Sequence, residues 1–288
     1  MKAYALMLLV AALLLAVSCG DNPDDSGKDN PPINSSLCAG FADGTTREHY
    51  GKGKPQFCDT RDGQKYVYTE IGGQTWMAEN LNYHAENSRC YNDNPDNCTI
   101  YGRLYDWAET MALPNVCNSC YKPELCEYSQ SLCEWLNSQI PLDEYCENNT
   151  CQVNEPHQGI CPDGWHVPNN ADWDKLFRFV DSENDGNGRE TKEYYQSDTA
   201  GKYLKAVGYW SPGDSTENLD TYGFSALPGG LSTYGDFGNV GIYGFWWSAT
   251  ETSASMSNVN MMFNNNSDAY WFTAKKTDMY SVRCVKND

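Results

Sequence analysis

Basic residues are scarce in this chain. Its 288 residues hold 20 Lys and Arg against 39 Asp and Glu, which gives a formal net charge of −19. Residues 1–18 contain a single charged side chain, so removing them leaves 19 basic residues against 39 acidic ones. A surface this acidic argues against nucleic acid and against anionic lipid headgroups as partners, because both need cationic side chains to neutralise phosphate.

Motifs that mark common enzymes are also absent. The histidines are scattered and form no His-Glu-x-x-His or comparable ligand cluster: His49, His84, His157 and His166. The chain has no Gly-x-Ser-x-Gly turn and no phosphate loop. With 39 acidic residues, a glycosidase-like carboxylate pair stays open as an alternative, but no residue is singled out for it.

Long apolar runs are missing except at the start of the chain. Residues 1–18 combine a basic start, an apolar run and small residues, which is typical of a secretory signal and too short for a membrane span. The run ends in Ala16-Val17-Ser18-Cys19, which resembles a bacterial lipobox. We therefore expect cleavage before Cys19 and a diacylglycerol anchor on its sulfur, so that the membrane is a partner; an ordinary signal peptide is the alternative. Residues 19–36 are polar and acidic and are predicted to form a flexible tether.

Cysteine, by contrast, is plentiful. The chain has 13, and assigning Cys19 to the lipid leaves 12, an even number in an exported protein. Export favours a disulfide framework. Zinc binding is the alternative, because Cys117-Asn-Ser-Cys120 has the spacing of a zinc half-site.

Two disulfides can be predicted individually. Cys90 and Cys98 flank a turn-rich loop, so we expect a local bridge between them. Cys161 and Cys284 both flank strand-like segments, and no other cysteine lies between them. A Cys161–Cys284 bridge would tie the middle of the chain to its last strand.

The chain beyond the tether divides at residue 58. An N-terminal extension, 37–58, has no clear pattern, although Cys38 and Cys58 bracket it as one loop. A domain is expected over 59–287. It carries a cysteine-rich insertion at 115–159, whose six cysteines are expected to pair mainly with one another, and this insertion includes a short helix near 132–140.

The clearest pattern lies at 161–180. A Pro-Asp-Gly turn precedes Trp165 and Val167, which alternate with polar neighbours as in a short strand. Asn169 or Asn170 can cap the helix that follows. That helix has one apolar stripe at positions i, i+3, i+4 and i+7: Trp173, Leu176, Phe177 and Val180.

Similar reasoning predicts the remaining elements. A β-hairpin is expected at 65–71 and 74–80, and helices are expected at 101–111 and 200–207. The 101–111 helix would bury one face: Leu104, Trp107, Ala108 and Met111. Strand-like runs separated by glycine- and asparagine-rich turns occur at 224–231, 245–250, 258–263, 269–273 and 280–285. The pattern predicts an α+β fold of antiparallel sheets with two or three short helices, stapled by disulfides.

Several stretches resemble the Fibrobacter succinogenes major paralogous domain, in that family's order. They are Asp62-Gly-Gln-Lys-Tyr66, Ile71-Gly-Gly-Gln-Thr-Trp-Met-Ala-Glu-Asn-Leu-Asn-Tyr83, Tyr101-Gly-Arg-Leu-Tyr-Asp-Trp107, Gly159-Ile-Cys-Pro-Asp-Gly-Trp-His-Val-Pro168, Tyr222-Gly-Phe-Ser-Ala-Leu-Pro-Gly-Gly230, Trp247-Ser-Ala-Thr-Glu251 and Ser281-Val-Arg-Cys-Val-Lys286. The resemblance implies a bacterial lipoprotein at the outer membrane or cell surface, with no established activity. More remotely, Trp-His-Val-Pro followed by Asp-Trp, with a closing Val-Arg-Cys-Val strand, is similar to the C-type-lectin-like fold shared with formylglycine-generating enzymes.

The remote likeness brings no site with it. Formylglycine-generating enzymes use a cysteine pair near the C-terminus, whereas Cys284 stands alone after Cys161. The Glu-Pro-Asn signature of calcium-dependent lectins is replaced by Glu155-Pro-His157. The acidic stretch 181–192 partly matches a calcium loop, but Lys192 occupies the position of the bidentate glutamate. No cofactor is predicted, and calcium is an unsupported alternative.

Aromatic residues of the C-terminal strands are the candidate ligand-binding residues: Tyr243, Trp246, Trp247, Tyr270 and Trp271. Adjacent strand positions face opposite sides of a sheet, so within each tryptophan-bearing pair one ring is expected to be buried and the other exposed. An exposed ring would suit stacking on a sugar or on another protein; rings buried under two covered faces are the alternative. The sequence thus predicts a non-catalytic binding or adhesion module, for plant polysaccharide or another surface protein. A secreted enzyme of unrecognised type on the same scaffold is the alternative.

Overall fold

The protein is described here by a computed structural model that covers residues 37–49, 52–118, 151–190, 195–213 and 217–288. All of these residues belong to one unit, Asn34–Asp288. The strands in chain order are β1 Thr46–His49, β2 Lys52–Cys58, β3 Lys65–Ile71, β4 Gln74–Met77, β5 Leu104–Tyr105, β6 Trp165–His166, β7 Arg189–Glu190, β8 Tyr195–Gln196, β9 Leu231–Thr233, β10 Asp236–Gly238, β11 Tyr243–Ser253, β12 Met256–Phe263, β13 Ala269–Lys275, β14 Tyr280–Ser281 and β15 Val285–Lys286.

Helices are few and mostly short. The α-helices within the described ranges are α1 Pro95–Tyr101, α2 Trp107–Thr110, α3 Asn170–Glu183 and α4 Ala200–Leu204, and 3-10 turns occur at Tyr91–Asp93 and Asn115–Asn118. The fold is therefore α+β, as predicted, with four described helices where two or three were expected.

Two larger sheets form the framework. One has six strands in the order β1-β2-β3-β4-β15-β6, and the other has five in the order β13-β12-β11-β14-β5. Two-stranded ribbons join β9 to β10 and β7 to β8. Strand pairing is antiparallel except between β11 and β14, which are parallel where Trp246 lies opposite Ser281. The predominantly antiparallel pairing confirms the sheet type predicted from the sequence.

The five-stranded sheet is covered on both faces. On one face lies a core that includes Trp107, Trp165 and Trp247. On the other face lies a second core that includes Trp173 and Trp246. A large apolar side chain gains about 1.5–3 kcal/mol from full burial. The strand alternation of β11 therefore stabilises two cores at once.

The segment 161–180 forms the predicted turn, strand and helix. Asn169 caps α3 by accepting a hydrogen bond from Asp172 N at 3.0 Å, and Asp172 Oδ2 accepts one from Asn169 N at 3.0 Å. This reciprocal capping box satisfies amide groups that the first helical turn leaves unpaired. All members of the predicted apolar stripe are buried: Trp173, Leu176, Phe177 and Val180.

Four disulfides link the described residues. The bridges predicted for Cys161–Cys284 and Cys90–Cys98 are present, and the bracketing pair Cys38–Cys58 is bonded. Cys117 bonds Cys151, which places one pair inside the cysteine-rich insertion and removes Cys117 from any zinc site. The other four cysteines of the insertion, the predicted helix near 132–140, and Cys19 with the signal and tether lie outside the described residues.

The predicted helix at 101–111 is wrong in its first half. Gly102 adopts a φ of +74°, and a Cβ there would lie 2.8 Å from Leu81 O, so the chain leaves the helix and packs closely on its neighbour. Leu104 and Tyr105 then pair with β14 as β5. Asp106 caps α2, which is only one turn long. The predicted buried face is correct nonetheless: Leu104, Trp107, Ala108 and Met111.

Other boundaries also differ from the prediction. The helix expected at 200–207 ends at Leu204, and the hairpin strand expected at 74–80 ends at Met77. The run at 224–231 is not a strand before Leu231. The run at 280–285 divides into β14 and β15, which belong to different sheets. Between them Arg283 is fully buried, which a continuous half-buried strand does not anticipate.

Candidate functional site

The tryptophan pair of β11 is not available to a ligand. Trp246 and Trp247 face opposite sides, as strand geometry requires, yet both are completely buried. Trp246 Nε1 donates to Asn80 Oδ1 at 2.8 Å, and Trp247 Nε1 donates to Tyr105 O at 2.8 Å. The expectation that one ring of this pair is exposed is wrong, because the second face of the sheet is covered by the core around α3.

The other three predicted aromatic residues are half-buried and do not form one platform. Tyr243 stacks on Phe263 with ring centroids 4.3 Å apart. Tyr270 borders a cavity of about 250 Å³ together with Asp198 and Asp268. Trp271 lies opposite Asn260 in the ladder and faces the other side of the sheet from Tyr270. The five predicted rings are thus divided between two faces.

A second cavity, of about 470 Å³, gathers polar and charged side chains. We call it the β1 cavity, and its lining residues are Arg47, Glu48, His49, Gln64, Lys65, Tyr66, Glu79, Asn80, Asn82, Cys98, Thr99, Ile100, Gly102, Tyr209 and Leu227. They come from β1, from the β3–β4 hairpin and the segment after it, from α1 and from two loops. Eight of these residues fall within the stretches through which the sequence resembles a known domain family.

Glu79 is the anchor of one wall of the β1 cavity. Arg47 Nη2 lies 2.5 Å from Glu79 Oε1, and Val67 N donates to Glu79 Oε2 at 2.8 Å. His49 Nδ1 lies 3.9 Å from the same carboxylate, and His49 Nε2 lies 3.2 Å from Ala78 O. Burial lowers the pKa of His49, although Glu79 acts in the opposite direction. These contacts hold β1 against residues 78 and 79.

Asn80 forms a rigid floor for the cavity. Its Oδ1 accepts hydrogen bonds from Trp246 Nε1 at 2.8 Å and Arg283 Nη2 at 2.7 Å, and its Nδ2 donates to Tyr101 O at 2.8 Å. Arg283 also donates to Ser225 O at 3.2 Å. Because every one of these partners is buried or backbone, the floor is fixed by the core and belongs to the stable part of the domain.

Above this floor the cavity keeps hydrogen-bonding capacity for a ligand. Asn82 also lines the cavity, but its Oδ1 is buried and is not open to a ligand. Glu48 and Lys65 are exposed and supply an acceptor and donors. On the opposite side, Ile100 and Tyr209 are exposed by 43% and 38%. The cavity can therefore contact a molecule that has both polar and apolar surfaces.

The remaining histidines do not converge on a site. His166 Nε2 lies 3.3 Å from Asp172 Oδ2, and its Nδ1 lies 2.7 Å from Asn287 Oδ1. Burial opposes protonation, but these two contacts outweigh it and raise the pKa of His166. His157 Nε2 contacts Met111 O at 2.8 Å. Across the described ranges no group of three or more His, Cys, Asp or Glu residues is arranged to hold a metal ion.

The partial calcium match also has a structural explanation. The described part of that stretch begins inside α3, which continues to Glu183. Asp181 is buried and accepts hydrogen bonds from Tyr195 at 2.7 Å and Ser197 at 2.5 Å, and also from Thr199. Asp181 occupies the first position of the calcium-loop pattern, and its carboxylate is already hydrogen-bonded by hydroxyl groups of the protein.

Two buried lysines likewise serve the fold. Lys205 Nζ donates to Phe263 O and Asn266 O at 2.7 Å each, and burial lowers its pKa to about 8. Lys276 Nζ lies 3.3 Å from Glu251 Oε2 and 3.8 Å from the centroid of the Trp107 ring. Both side chains are almost inaccessible to solvent, so they are not placed to attack a substrate.

Sequence reasoning missed the β1 side of the cavity. Arg47, Glu48 and His49 lie in an extension that shows no periodicity, and Tyr209 lies in a loop. The one usable signal was the pair Cys38 and Cys58, which indicated that the extension is held in place.

Comparisons with known proteins identify a domain and no function. A model of the Fibrobacter succinogenes major domain matches residues 69–286. No curated protein and no solved structure matches the chain significantly. Among the described residues, no helix has the length and apolar character needed to cross a membrane.

Proposed function

Since the chain belongs to the Fibrobacter succinogenes major domain family, we propose that it is an exported, lipid-anchored surface protein that binds a ligand without transforming it. The β1 cavity is the binding site. The ligand is a hydroxyl-rich molecule, and plant polysaccharide is the first candidate.

The observation that carries this proposal is the set of exposed polar groups that the cavity brings together. Glu48 and Lys65 line the cavity and are exposed to solvent. A carboxylate accepts hydrogen bonds, and an ammonium group donates them. Neighbouring hydroxyls of one ligand can therefore pair with both side chains.

Apolar surface at the cavity supports a sugar in particular. Sugar rings present C–H faces as well as hydroxyls, and they pack on aromatic and aliphatic side chains through those faces. Ile100 and Tyr209 are exposed at the cavity, and Leu227 is buried beside them. The two kinds of surface thus meet within one site, as in most small-molecule pockets.

The cavity favours binding over catalysis. Glu79 is engaged by Arg47 and by the amide of Val67, so it acts as an anchor. The His49 side chain is 9% exposed and is directed at Ala78 O. A general acid or base must reach the proton that it transfers, and both groups are already held by contacts within the protein.

Retention on glycans tests the site. The purified chain would be applied to a glycan array and to insoluble plant polysaccharide, as wild type, Tyr209→Ala and Tyr270→Ala. Loss of an exposed contact aromatic is expected to weaken retention about tenfold or more, with an unchanged Tm. The matched control Tyr270→Ala removes a half-buried ring from the C-terminal sheet and should change retention little. If Tyr270→Ala weakened retention more than Tyr209→Ala, the site would lie on the C-terminal sheet. If the wild-type protein were not retained at all, carbohydrate would be rejected as the ligand.

The anchor has its own test. Cys19→Ser is expected to release the protein from membranes and to make its processing insensitive to inhibition of signal peptidase II. Unchanged membrane fractionation would contradict the lipid anchor.

We also propose that the fold is C-type-lectin-like. Support comes from the last strand, β15, which lies between β4 and β6, and from the Cys161–Cys284 bridge beside it. A crystal structure that superposes on C-type lectins over both sheets would establish this. A different strand order would refute it.

A further inference from the structure

We infer that the β1–β2 hairpin is the specificity-determining wall of the β1 cavity and that Arg47 positions it there. The inference rests on the proposed function and adds which part of the chain selects the ligand. The hairpin, residues 46–49 and 52–58, precedes the first residue matched by the family model, Thr69. Lining residues that precede the matched stretch are Arg47, Glu48 and His49 of β1 together with Gln64, Lys65 and Tyr66, whereas the other lining residues lie within it.

The base of the hairpin is fixed firmly. Phe57 is buried in the core, with its ring centroid 4.4 Å from that of Trp165 and 5.7 Å from that of Tyr66. The Cys38–Cys58 disulfide closes the extension at the same end. Burial of an aromatic ring of this kind stabilises the folded state by a few kcal/mol, so Phe57 holds β2 firmly against the core.

The far end of the hairpin is tied to a loop of the domain. Lys52 Nζ donates to Asp220 O at 2.6 Å, and Lys54 Nζ donates to Tyr222 O at 3.3 Å. Lys54 also donates to Thr69 Oγ1 at 3.2 Å. The hairpin therefore spans the domain between two attachments, with the cavity beneath β1.

Strand β1 lies at the edge of its sheet, and among the described strands it pairs with β2 alone. Its side-chain contacts to the domain include those of His49 described above and those of Arg47, which donates to Lys65 O at 3.3 Å and to Glu79 at 2.5 Å. Half-exposed ion pairs of this type contribute about 0–1 kcal/mol. Because Arg47 uses two branches of its guanidinium on two partners, it fixes the position of β1 more than its stability.

The charges around Arg47 indicate the class of ligand. Arg47 forms an ion pair with Glu79, and the cavity lining holds the two cations Arg47 and Lys65 against the two carboxylates Glu48 and Glu79. A polyanion would also meet a chain with a net charge of −19. We therefore assign a neutral saccharide to the cavity, and an acidic saccharide is an outcome that the test can return.

The test measures affinity and selectivity for point variants, because deleting the hairpin would also remove Phe57 from the core. Titration calorimetry would use cellohexaose, xylohexaose, mannohexaose and hexagalacturonate with wild type, Arg47→Met and Arg47→Lys. The matched control is Arg178→Met, which removes a similarly exposed arginine that pairs with Glu190 at 3.1 Å, away from the cavity. Hydrogen exchange of residues 46–49 would be followed with and without the best-bound oligosaccharide.

Arg47→Met is expected to lower the affinity for the preferred neutral oligosaccharide about tenfold and to reduce the ratio of that affinity to the affinities for the other three. Amide hydrogen exchange in β1 should become faster. Arg47→Lys keeps the charge but not the two-branched contact, so partial recovery is expected. Arg178→Met should behave as wild type. If wild type binds and Tyr209→Ala abolishes binding while Arg47→Met changes neither affinity nor preference, the hairpin inference is wrong and the proposed site stands. Preference for hexagalacturonate overturns the neutral-ligand assignment, and binding of none of the four overturns the proposed function together with this inference.

Discussion

The C-terminal sheet and the β1 cavity use their side chains in opposite ways. In the sheet, β11 buries one tryptophan on each face and hydrogen-bonds both indole nitrogens inside the protein. In the cavity, the charged side chains of Glu48 and Lys65 remain exposed. The tryptophans of the sheet are closed to a ligand, whereas these polar groups of the cavity are open to one.

The difference separates stability from function in this chain. Aromatic residues, which are the usual first guess for a sugar-binding surface, are used here mainly to fill two cores. A ring that is buried and hydrogen-bonded inside the protein cannot contact a ligand, whereas the exposed charged and aromatic groups at the cavity can. Substitutions in the sheet should therefore reduce the free energy of unfolding, and substitutions in the cavity should reduce binding.

The largest expected loss of stability comes from the disulfide beside the sheet. Cys161–Cys284 has a sequence separation of 123, and Cys38–Cys58, next to the cavity, has one of 20. In the chain-entropy model these closures contribute about 5 and about 3 kcal/mol. Double alanine variants of each pair, compared by urea denaturation, should show the first to be the more damaging. Equal losses would mean that the long closure does not dominate the framework.

Substituting either tryptophan of β11 should destabilise the protein slightly less than removing the Cys161–Cys284 bridge. Trp246→Ala and Trp247→Ala each remove a fully buried ring, so each is expected to lower the free energy of unfolding by about 3–5 kcal/mol. Tyr270→Ala, on the neighbouring part of the sheet, removes a half-buried ring and should cost clearly less. Chemical denaturation of the three variants would measure this order. A small loss for either tryptophan would show that its side of the sheet is not a closed core.

The predictability of the fold follows from how local its signals are. The hairpin of β3 and β4, the capped helix α3 and the stripe of α3 are each specified within a few residues, and each was predicted. The segment 101–111 was misassigned because its apolar spacing suits a helix, while the close approach of Gly102 to residues 80 and 81 is a tertiary effect. Whether the far side of the sheet is covered is likewise set by distant residues, so the burial of both tryptophans could not be derived.

The candidate site was less predictable for the same reason. The stretches of family resemblance include Glu79, Asn80 and Asn82, but nothing in the sequence marked them as a site or joined them to Arg47 or Tyr209. Arg47 lies more than 30 positions before Glu79 in the sequence, and Tyr209 lies much farther after it. A cavity assembled from an unpatterned extension and a loop becomes visible only in the folded chain.

His49 at the cavity and His166 beside α3 should give stability opposite dependences on pH. Burial lowers the pKa of His49 at the cavity, so the unfolded state binds the proton more readily, and stability falls as pH drops below about 6.5. The pKa of His166 beside α3 is raised, so its contribution is complete below about 6.5 and is lost as pH rises through the raised pKa. On acidification from neutral pH, the stability advantage of wild type over His49→Gln should shrink, while its advantage over His166→Gln should grow. Denaturation series at several pH values would reveal parallel trends if this assignment is wrong.

Substitution of Arg47, which is proposed to position the wall of the binding site, should change stability the least. Arg47 is 38% exposed in its side chain, and its partner Glu79 is 27% exposed, so the pair should contribute no more than about 1 kcal/mol. Arg47→Met should therefore unfold in urea almost as wild type does, with the same dependence on denaturant, while Arg283→Met should be far more damaging. Arg283 is the matched contrast because it is a buried arginine bonded to the cavity floor at Asn80. Removing it takes the arginine donor away from the buried carbonyls of Phe224 and Ser225, and a buried group left unpaired typically costs about 1–3 kcal/mol. A loss for Arg47→Met as large as that for Arg283→Met would mean that β1 is part of the folding core, and the separation between a stable floor and an adjustable wall would fail.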